Sequence, residues 1–312
     1  MSMLVVAALG GNALLKRGQL MTAENQRANV RVAVRSLAEI VRAGHSLVIT
    51  HGNGPQIGLL ALQSAAYNPA EAYPLDVLVA ETAGMIGYMI EQELENALGH
   101  SKPVATLLTQ IVVDAQDPAF HKPTKFIGPV YSREEAEARA KSAGWSIAQD
   151  GDKWRRVVAS PAPSEIPDLT ILKPLLDQGV IVICAGGGGI PVVRQIDGSL
   201  TGIEAVVDKD AVSGLLAHEL GADALLLLTD VPAVMRDFGT PAQSQIGAIT
   251  PEDALKLDLP AGSMRPKVTA AAAFATAGRM GGIGRLDQAA EILAGRAGTR
   301  ISQENAKEMK NG

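Results

Sequence analysis

Short apolar runs alternate along the chain with longer stretches in which apolar positions recur every three or four residues. Leu4–Leu9, Ser46–Thr50, Val104–Leu108, Val180–Ala185 and Ala224–Thr229 have the length of buried strands. The helical period runs through Ala23–Arg42, Gln56–Ala66, Leu75–Leu98, Leu169–Gln178 and Asp208–Leu220. It returns in Pro251–Leu257, Pro266–Ala277 and Asp287–Ala294. Thr22 is placed to cap the first long helix, and Pro55 stands near the start of the second. Strand, turn and helix in repeating order predict an α/β fold, with a mainly parallel sheet covered by helices on both faces.

The alternation breaks between about Val112 and Pro163, where Pro118, Pro123, Pro129, Pro161 and Pro163 interrupt the chain. Within it, Trp145–Gln149 and Trp154–Ala159 flank Asp150-Gly151-Asp152-Lys153, the pattern of a hairpin with an Asp/Gly turn. The stretch is expected to be an inserted, protruding subdomain, possible as a lid, within a single α/β domain; the alternative is a long surface excursion without a role. Gln303–Gly312 is polar and expected to fray.

Composition narrows the function classes. Lys and Arg total 28 against 33 Asp and Glu, a net charge of −5, so the basic footprint of a nucleic-acid binder is missing. Aromatic residues make up 3%, too few for base-stacking platforms. Cys184 is the single cysteine, which excludes an intrachain disulfide and a cysteine-rich zinc site. No run approaches the roughly 18 apolar residues of a membrane span, and no basic segment precedes the first apolar stretch. The expected location is the cytoplasm.

Four glycine turns are expected where strands end and helices begin: Gly10-Gly11, Gly52-Asn53-Gly54, Gly186–Gly189 and Gly262-Ser263. In a parallel sheet that edge binds ligands, and bare backbone N–H groups beside helix starts suit phosphate or carboxylate. No P-loop string occurs, Gly52–Gly58 is one residue too long for the dinucleotide pattern, and the five histidines lack metal-site spacing. Cations must then come from elsewhere. Lys125 stands in the insertion, Lys209 between Asp208 and Asp210 at a helix start, and Lys267 at another helix start. An ammonium gains nothing from the dipole there, and an anion placed among the three would reverse that penalty.

Leu9-Gly10-Gly11-Asn12-Ala13-Leu14, Thr22–Gln26, His51–Gln56, Tyr73–Asp76, Lys125–Pro129, Arg156–Pro161, Gly186–Pro191, Val207–Asp210, Leu228–Asp230 and Gly262–Met264 follow in an order and spacing that resemble the carbamate kinases of the amino acid kinase superfamily. The resemblance covers nearly the whole chain. It implies a homodimer with an eight-stranded, mainly parallel sheet and a protruding subdomain. It implies reversible phosphoryl transfer, ATP plus carbamate in equilibrium with ADP plus carbamoyl phosphate, with Mg2+ held mainly through nucleotide phosphates and no protein metal site. Such enzymes usually run toward ATP in the breakdown of nitrogen compounds such as arginine.

By the same resemblance Gly10, Gly11, Asn12, Gly52, Asn53 and Gly54, with Gly187 and Gly188, cradle the phosphoryl group and the carbamate. Lys209 bridges donor and acceptor oxygens, Asp210 orients it, Lys267 reaches the nucleotide phosphates, and Lys125 comes in from the lid. Thr229, Asp230 and Met264 lie beside the nucleotide. Pro232, Met235 and Arg265 depart from the family pattern. Two alternatives remain open at this point: another acyl phosphate kinase of the superfamily, or a silent nucleotide-binding dimer.

Overall fold

The computed structural model describes residues 2–15, 18–68, 71–259, 263–276 and 278–303. The first half of the chain runs β1 (Leu4–Leu9), α1 (Gly11–Leu14), α2 (Ala23–Arg42), β2 (Ser46–His51), α3 (Gly54–Tyr67), α4 (Leu75–Leu98) and β3 (Val104–Thr106). Next come β4 (Gln110–Val113), β5 (Lys125–Tyr131), α5 (Arg133–Ala143), β6 (Ser146–Asp150), β7 (Lys153–Val158) and β8 (Pro163–Glu165). They are followed by α6 (Leu169–Asp177), β9 (Ile181–Ile183), β10 (Ile190–Arg194), β11 (Leu200–Gly202), α7 (Lys209–Glu219) and β12 (Ala224–Thr229). The chain closes with β13 (Val234–Arg236), β14 (Ser244–Ile246), β15 (Ala248–Ile249), α8 (Pro251–Lys256), α9 (Met264–Ala275), β16 (Met280–Arg285), α10 (Ala289–Leu293) and β17 (Thr299–Ile301).

Among the described residues, eight strands form the main sheet in the order β15-β17-β16-β12-β1-β2-β9-β3, parallel except where β16 meets β17. The pleat divides β1 between two cores. Val5, Ala7 and Leu9 pack with residues of α2, α4 and α10, while Val6 and Ala8 pack with α6, α7, α8 and α9. That two-sided burial makes the strand a continuous apolar run and produces the three-layer αβα arrangement. Thr22 caps α2 by accepting the Asn25 N–H at 3.2 Å, as its hydroxyl and position predict. No helix among the described residues is long and apolar enough to cross a membrane.

The stretch that interrupts the alternation leaves through β4 and returns through β8, which pair antiparallel in a second sheet ordered β11-β10-β4-β8. Beyond that pair, β5, β7 and β6 make a three-stranded sheet of their own, carrying α5. The hairpin expected around Asp150–Lys153 is present as β6 and β7, with Gly151 at φ +66° in the turn.

Two of the four glycine turns correct the sequence expectation. Gly186–Gly188 makes a 3-10 turn and leads into strand β10, because Gly187, Gly188 and Gly189 all have positive φ, which reverses the chain instead of winding it into a helix. Ser263 opens α9 after helix α8 and not after a strand, and Gly262 lies outside the described residues. Of the expected frayed tail, residues 304–312 lie outside them as well.

Candidate active site

The parallel register sets the ends of the central strands level. Leu9 lies beside His51 on one side and Leu228 on the other. The Gly10 N–H donates to the Leu228 carbonyl at 2.9 Å and the Gly52 N–H to the Leu9 carbonyl at 2.9 Å, which ties the first residues beyond the strands together. Here the order of connections reverses, since β1 continues to β2 on one side and β12 arrives from the other; crevices at such points are where open α/β sheets bind ligands.

Glycine is required at this edge by close approach. A Cβ on Gly52 would stand 3.1 Å from the Gly11 backbone nitrogen and 3.7 Å from Lys209 Cδ. One on Gly187 would overlap the Asn53 amide at 2.3 Å, and one on Gly188 would overlap the Val207 carbonyl oxygen at 2.2 Å. Gly10, Gly11, Gly52, Asn53, Gly54, Gly187, Gly188 and Lys209 are therefore gathered at one place, although they come from four connections. Asn12 lies in α1; its side chain falls outside the described residues.

The lysines converge on two aspartates. Asp208 caps α7, its Oδ1 accepting from the Asp210 N–H at 2.9 Å and the Ala211 N–H at 3.2 Å. Its other oxygen accepts from Lys125 Nζ at 2.5 Å. Asp210 takes Lys209 Nζ on Oδ1 at 2.5 Å and Lys267 Nζ on Oδ2 at 2.9 Å. Burial works to raise the Asp210 carboxyl, but Lys209 and Lys267 hold it well below the usual carboxylate range. Burial likewise opposes the ionised form of Asp208, and Lys125 brings its carboxyl below the ordinary value. Burial lowers the Lys209 ammonium, and Lys267 adds to that against the pull of Asp210. Three ammonium groups thus face two carboxylates. The cluster carries a net positive charge, and Lys209 and Asp210 are buried. An anion is the ligand that would balance it.

A model of the amino acid kinase family matches residues 3–283. The chain belongs to the amino acid kinase family. A carbamate kinase of Haemophilus influenzae is 56% identical over 303 residues, covering 97% of each chain. One of Escherichia coli is 51% identical, over 96% of this chain and 99% of that one. Among solved structures, a carbamate kinase of Giardia lamblia bound to AMP-PNP is 39% identical and superposes with a TM-score of 0.87 over 96% of this chain and 98% of its own.

Around Asn53, which the sequence singled out, side chains of this amino acid kinase that sequence reasoning passed over hold the site in shape: Thr82, Thr50, Ser213 and His51. Asn53 donates through Nδ2 to Thr82 Oγ1 at 2.8 Å; the Thr82 hydroxyl proton is committed to α4 carbonyls, those of Leu78 and Val79. Asn53 must therefore be the donor, which fixes its amide orientation. Ser213 donates to the Lys209 carbonyl at 2.7 Å, so Thr50 donates to Ser213, also at 2.7 Å, and locks α7 against β2. His51 is buried at the end of β2 with Nδ1–H donating to the Gly52 carbonyl at 3.2 Å. Burial pushes its imidazole down to about 4, and nearby Lys209 acts in the same direction, so the ring is neutral at pH 7. The sequence signal for these residues is position alone: Thr50 and His51 close β2 and Ser213 lies one helical turn after Lys209, whereas Thr82, within α4, leaves no local mark.

The residues expected beside a nucleotide lie at the end of β12 and the start of α9. Thr229 ends β12 beside β1 and donates to Asp230 at 3.1 Å. Met264 begins α9, the helix that sends Lys267 to Asp210. Arg265 donates to the Leu257 carbonyl at 3.4 Å and stands 3.7 Å from Asp258. Pro232 precedes the β13–β14 hairpin and Met235 lies within it, opposite Gln245.

Proposed function

We propose that this chain is a carbamate kinase, catalysing ATP plus carbamate in equilibrium with ADP plus carbamoyl phosphate. The observation that carries the reading is the buried, net-positive lysine cluster at a glycine-lined sheet edge, in a chain 50–56% identical to bacterial carbamate kinases over nearly its full length.

Phosphoryl transfer asks for positioning and charge neutralisation, because the moving group spreads negative charge over three oxygens. In the direction of ATP synthesis, the bond from phosphorus to the carbamate oxygen breaks. The bond to a terminal oxygen of ADP forms, and carbamate leaves as an anion. No proton moves, so neither a histidine base nor a covalent nucleophile is needed, in keeping with the neutral, buried His51. Lys209 lies between donor and acceptor oxygens, with Asp210 fixing its amine and that of Lys267. Lys267 serves the nucleotide phosphates and Lys125 the acceptor side. Backbone N–H groups of the Gly10–Asn12 and Gly52–Gly54 turns, with Gly187 and Gly188 leaving room, receive the phosphoryl and carbamate oxygens. Thr229, Asp230 and Met264 flank the nucleotide.

Magnesium belongs to the substrate in this reading. Among the described residues no group of three or more His, Cys, Asp or Glu side chains gathers to hold a metal, and both site aspartates are engaged by lysines. Mg2+ would arrive on the nucleotide phosphates and neutralise charge there. The reading further includes a homodimer in the cytoplasm, supported by the family resemblance and by a single, buried cysteine suited to a reducing compartment. Light scattering on the purified protein tests the dimer.

The test of the reaction is ATP formation from ADP, Mg2+ and carbamoyl phosphate, measured beside acetyl phosphate. A strong preference for carbamoyl phosphate is expected. Equal use of both would point to a broader acyl phosphate kinase, and ADP binding without turnover would leave a nucleotide-binding protein.

A further inference from the structure

Strand β5, which carries Lys125, crosses helix α3 at a pair of glycines. A Cβ on Gly58 would stand 1.8 Å from Gly128 Cα and 2.3 Å from its nitrogen. Both atoms are backbone, so no change of rotamer relieves the overlap. Gly128 has φ +72°, and the register between β5 and β7 shifts between Ile127 and Tyr131, where it lies. Around the crossing, Ile57, Leu75, Leu78 and Val79 pack with Ile127 and Val158 of the three-stranded sheet in one apolar cluster. Three residues before Gly128, Lys125 reaches across to Asp208.

We propose that Gly58 is a positioning residue for the acceptor side of the reaction: its bare Cα sets the depth at which β5 seats on α3, and hence the reach of Lys125 to the reacting centre. This deepens the kinase reading and rests on it. Moving Gly128 Cα from 1.8 Å to an ordinary contact of about 3.5–4.0 Å from the methyl carbon that Gly58→Ala adds lifts the strand by about 2 Å. A lift of that size moves the backbone that carries Lys125 relative to Asp208, which it meets at 2.5 Å, and misplacement by ~1 Å can already cost about 100-fold. The contact therefore acts through Lys125, not through the core at large.

The test is Gly58→Ala in the full chain, alone and combined with Lys125→Ala, with Gly84→Ala as the control because nothing lies within 4 Å of a Cβ there. Expected is a loss of about 100-fold in kcat/KM for carbamoyl phosphate, with ADP affinity held within about twofold. In the Lys125→Ala background the same change should add less than about twofold. Both tryptophans, Trp145 and Trp154, lie in this subdomain, and Trp145 lines the crevice beside Gly58 and Gly128, so acrylamide quenching of their emission should rise in Gly58→Ala. Near-normal turnover, an undiminished extra loss in the Lys125→Ala background, or unchanged quenching would each overturn the proposal. If Gly58→Ala does not fold, Gly128→Ala is a milder perturbation from the other side, its Cβ meeting Gly58 Cα at 3.4 Å at a φ of +72°: a fall in kcat/KM for carbamoyl phosphate that disappears in the Lys125→Ala background supports the proposal, and unchanged turnover, or a fall of the same size in both backgrounds, overturns it. Should the unaltered protein form no ATP from carbamoyl phosphate, the functional reading falls, while the quenching comparison still decides whether Gly58 seats the strand.

Discussion

Replacing Asp210 by asparagine removes the charge that two lysines share. Its carboxylate accepts from Lys209 at 2.5 Å and Lys267 at 2.9 Å, with side-chain exposures of 5% for Asp210, 9% for Lys209 and 13% for Lys267. Breaking a buried pair from one side costs about 3–5 kcal/mol, and the lower end applies because the amide oxygen still accepts one bond. With an unfolding entropy of roughly 2.1 cal/mol/K for each of 312 residues, the melting temperature should fall by about 5 °C at pH 7. The pH dependence has a definite sign. In the unaltered protein the depressed Asp210 carboxyl contributes stability that is present above the ordinary carboxylate pKa and lost as pH falls through the folded value. In the variant that contribution is gone, and Lys209, already lowered by burial, is lowered further. A lysine lowered on folding destabilises while the unfolded chain holds the extra proton, and its penalty fades as pH rises toward the unfolded value. The gap in melting temperature should therefore be widest near neutrality and narrow toward pH 10. Turnover should fall about 100-fold or more, since both amines lose their common anchor. Calorimetry from pH 6 to 10 beside coupled ATP formation reads both effects. An unchanged melting temperature with turnover within a few-fold of normal would refute the reasoning.

Lys125→Ala should raise KM for carbamoyl phosphate and lower kcat/KM, with ADP affinity nearly unchanged; unaltered kinetics would remove the three-stranded subdomain from the site. Cys184 is buried and its thiol is pushed up to about 12, so the folded protein should not react with a thiol reagent such as DTNB until denatured. Fast labelling of the native protein would contradict that burial. Thr22→Ala should cost about 1 kcal/mol of stability by removing the α2 cap, with activity unaffected, as read by denaturant titration.

Where burial follows a clean period, the sequence was sufficient: Ala23–Arg42, Leu75–Leu98 and Ala224–Thr229 are the elements observed, residue for residue. Met280–Arg285 carries no such signal, although it is a central strand. Its glycines are there because Ala271 and Ile292 pack so close that a Cβ on Gly281 or Gly282 would fall within 3 Å of them. Contact with neighbouring helices, not strand propensity, decides that residue choice. Helix α5 buries only Ala136, so it shows almost no apolar stripe; the local marks it leaves are its Ser132–Glu135 capping box and Gly144, which ends it at φ +68°. In the candidate site Lys209 and Lys267 stood out because helix starts disfavour cations, and Lys125 by its place in the insertion. That one carboxylate serves both Lys209 and Lys267, and that Lys125 crosses to Asp208, depends on packing between segments distant in the chain and could not be read from spacing.

The most direct measurement is the rate of ATP formation from ADP and carbamoyl phosphate by Lys209→Ala, beside its melting temperature. In the proposed mechanism this amine neutralises charge on the moving phosphoryl group, so turnover should fall by about a thousandfold or more while the protein stays folded. A folded variant that turns over at close to the normal rate would contradict the account.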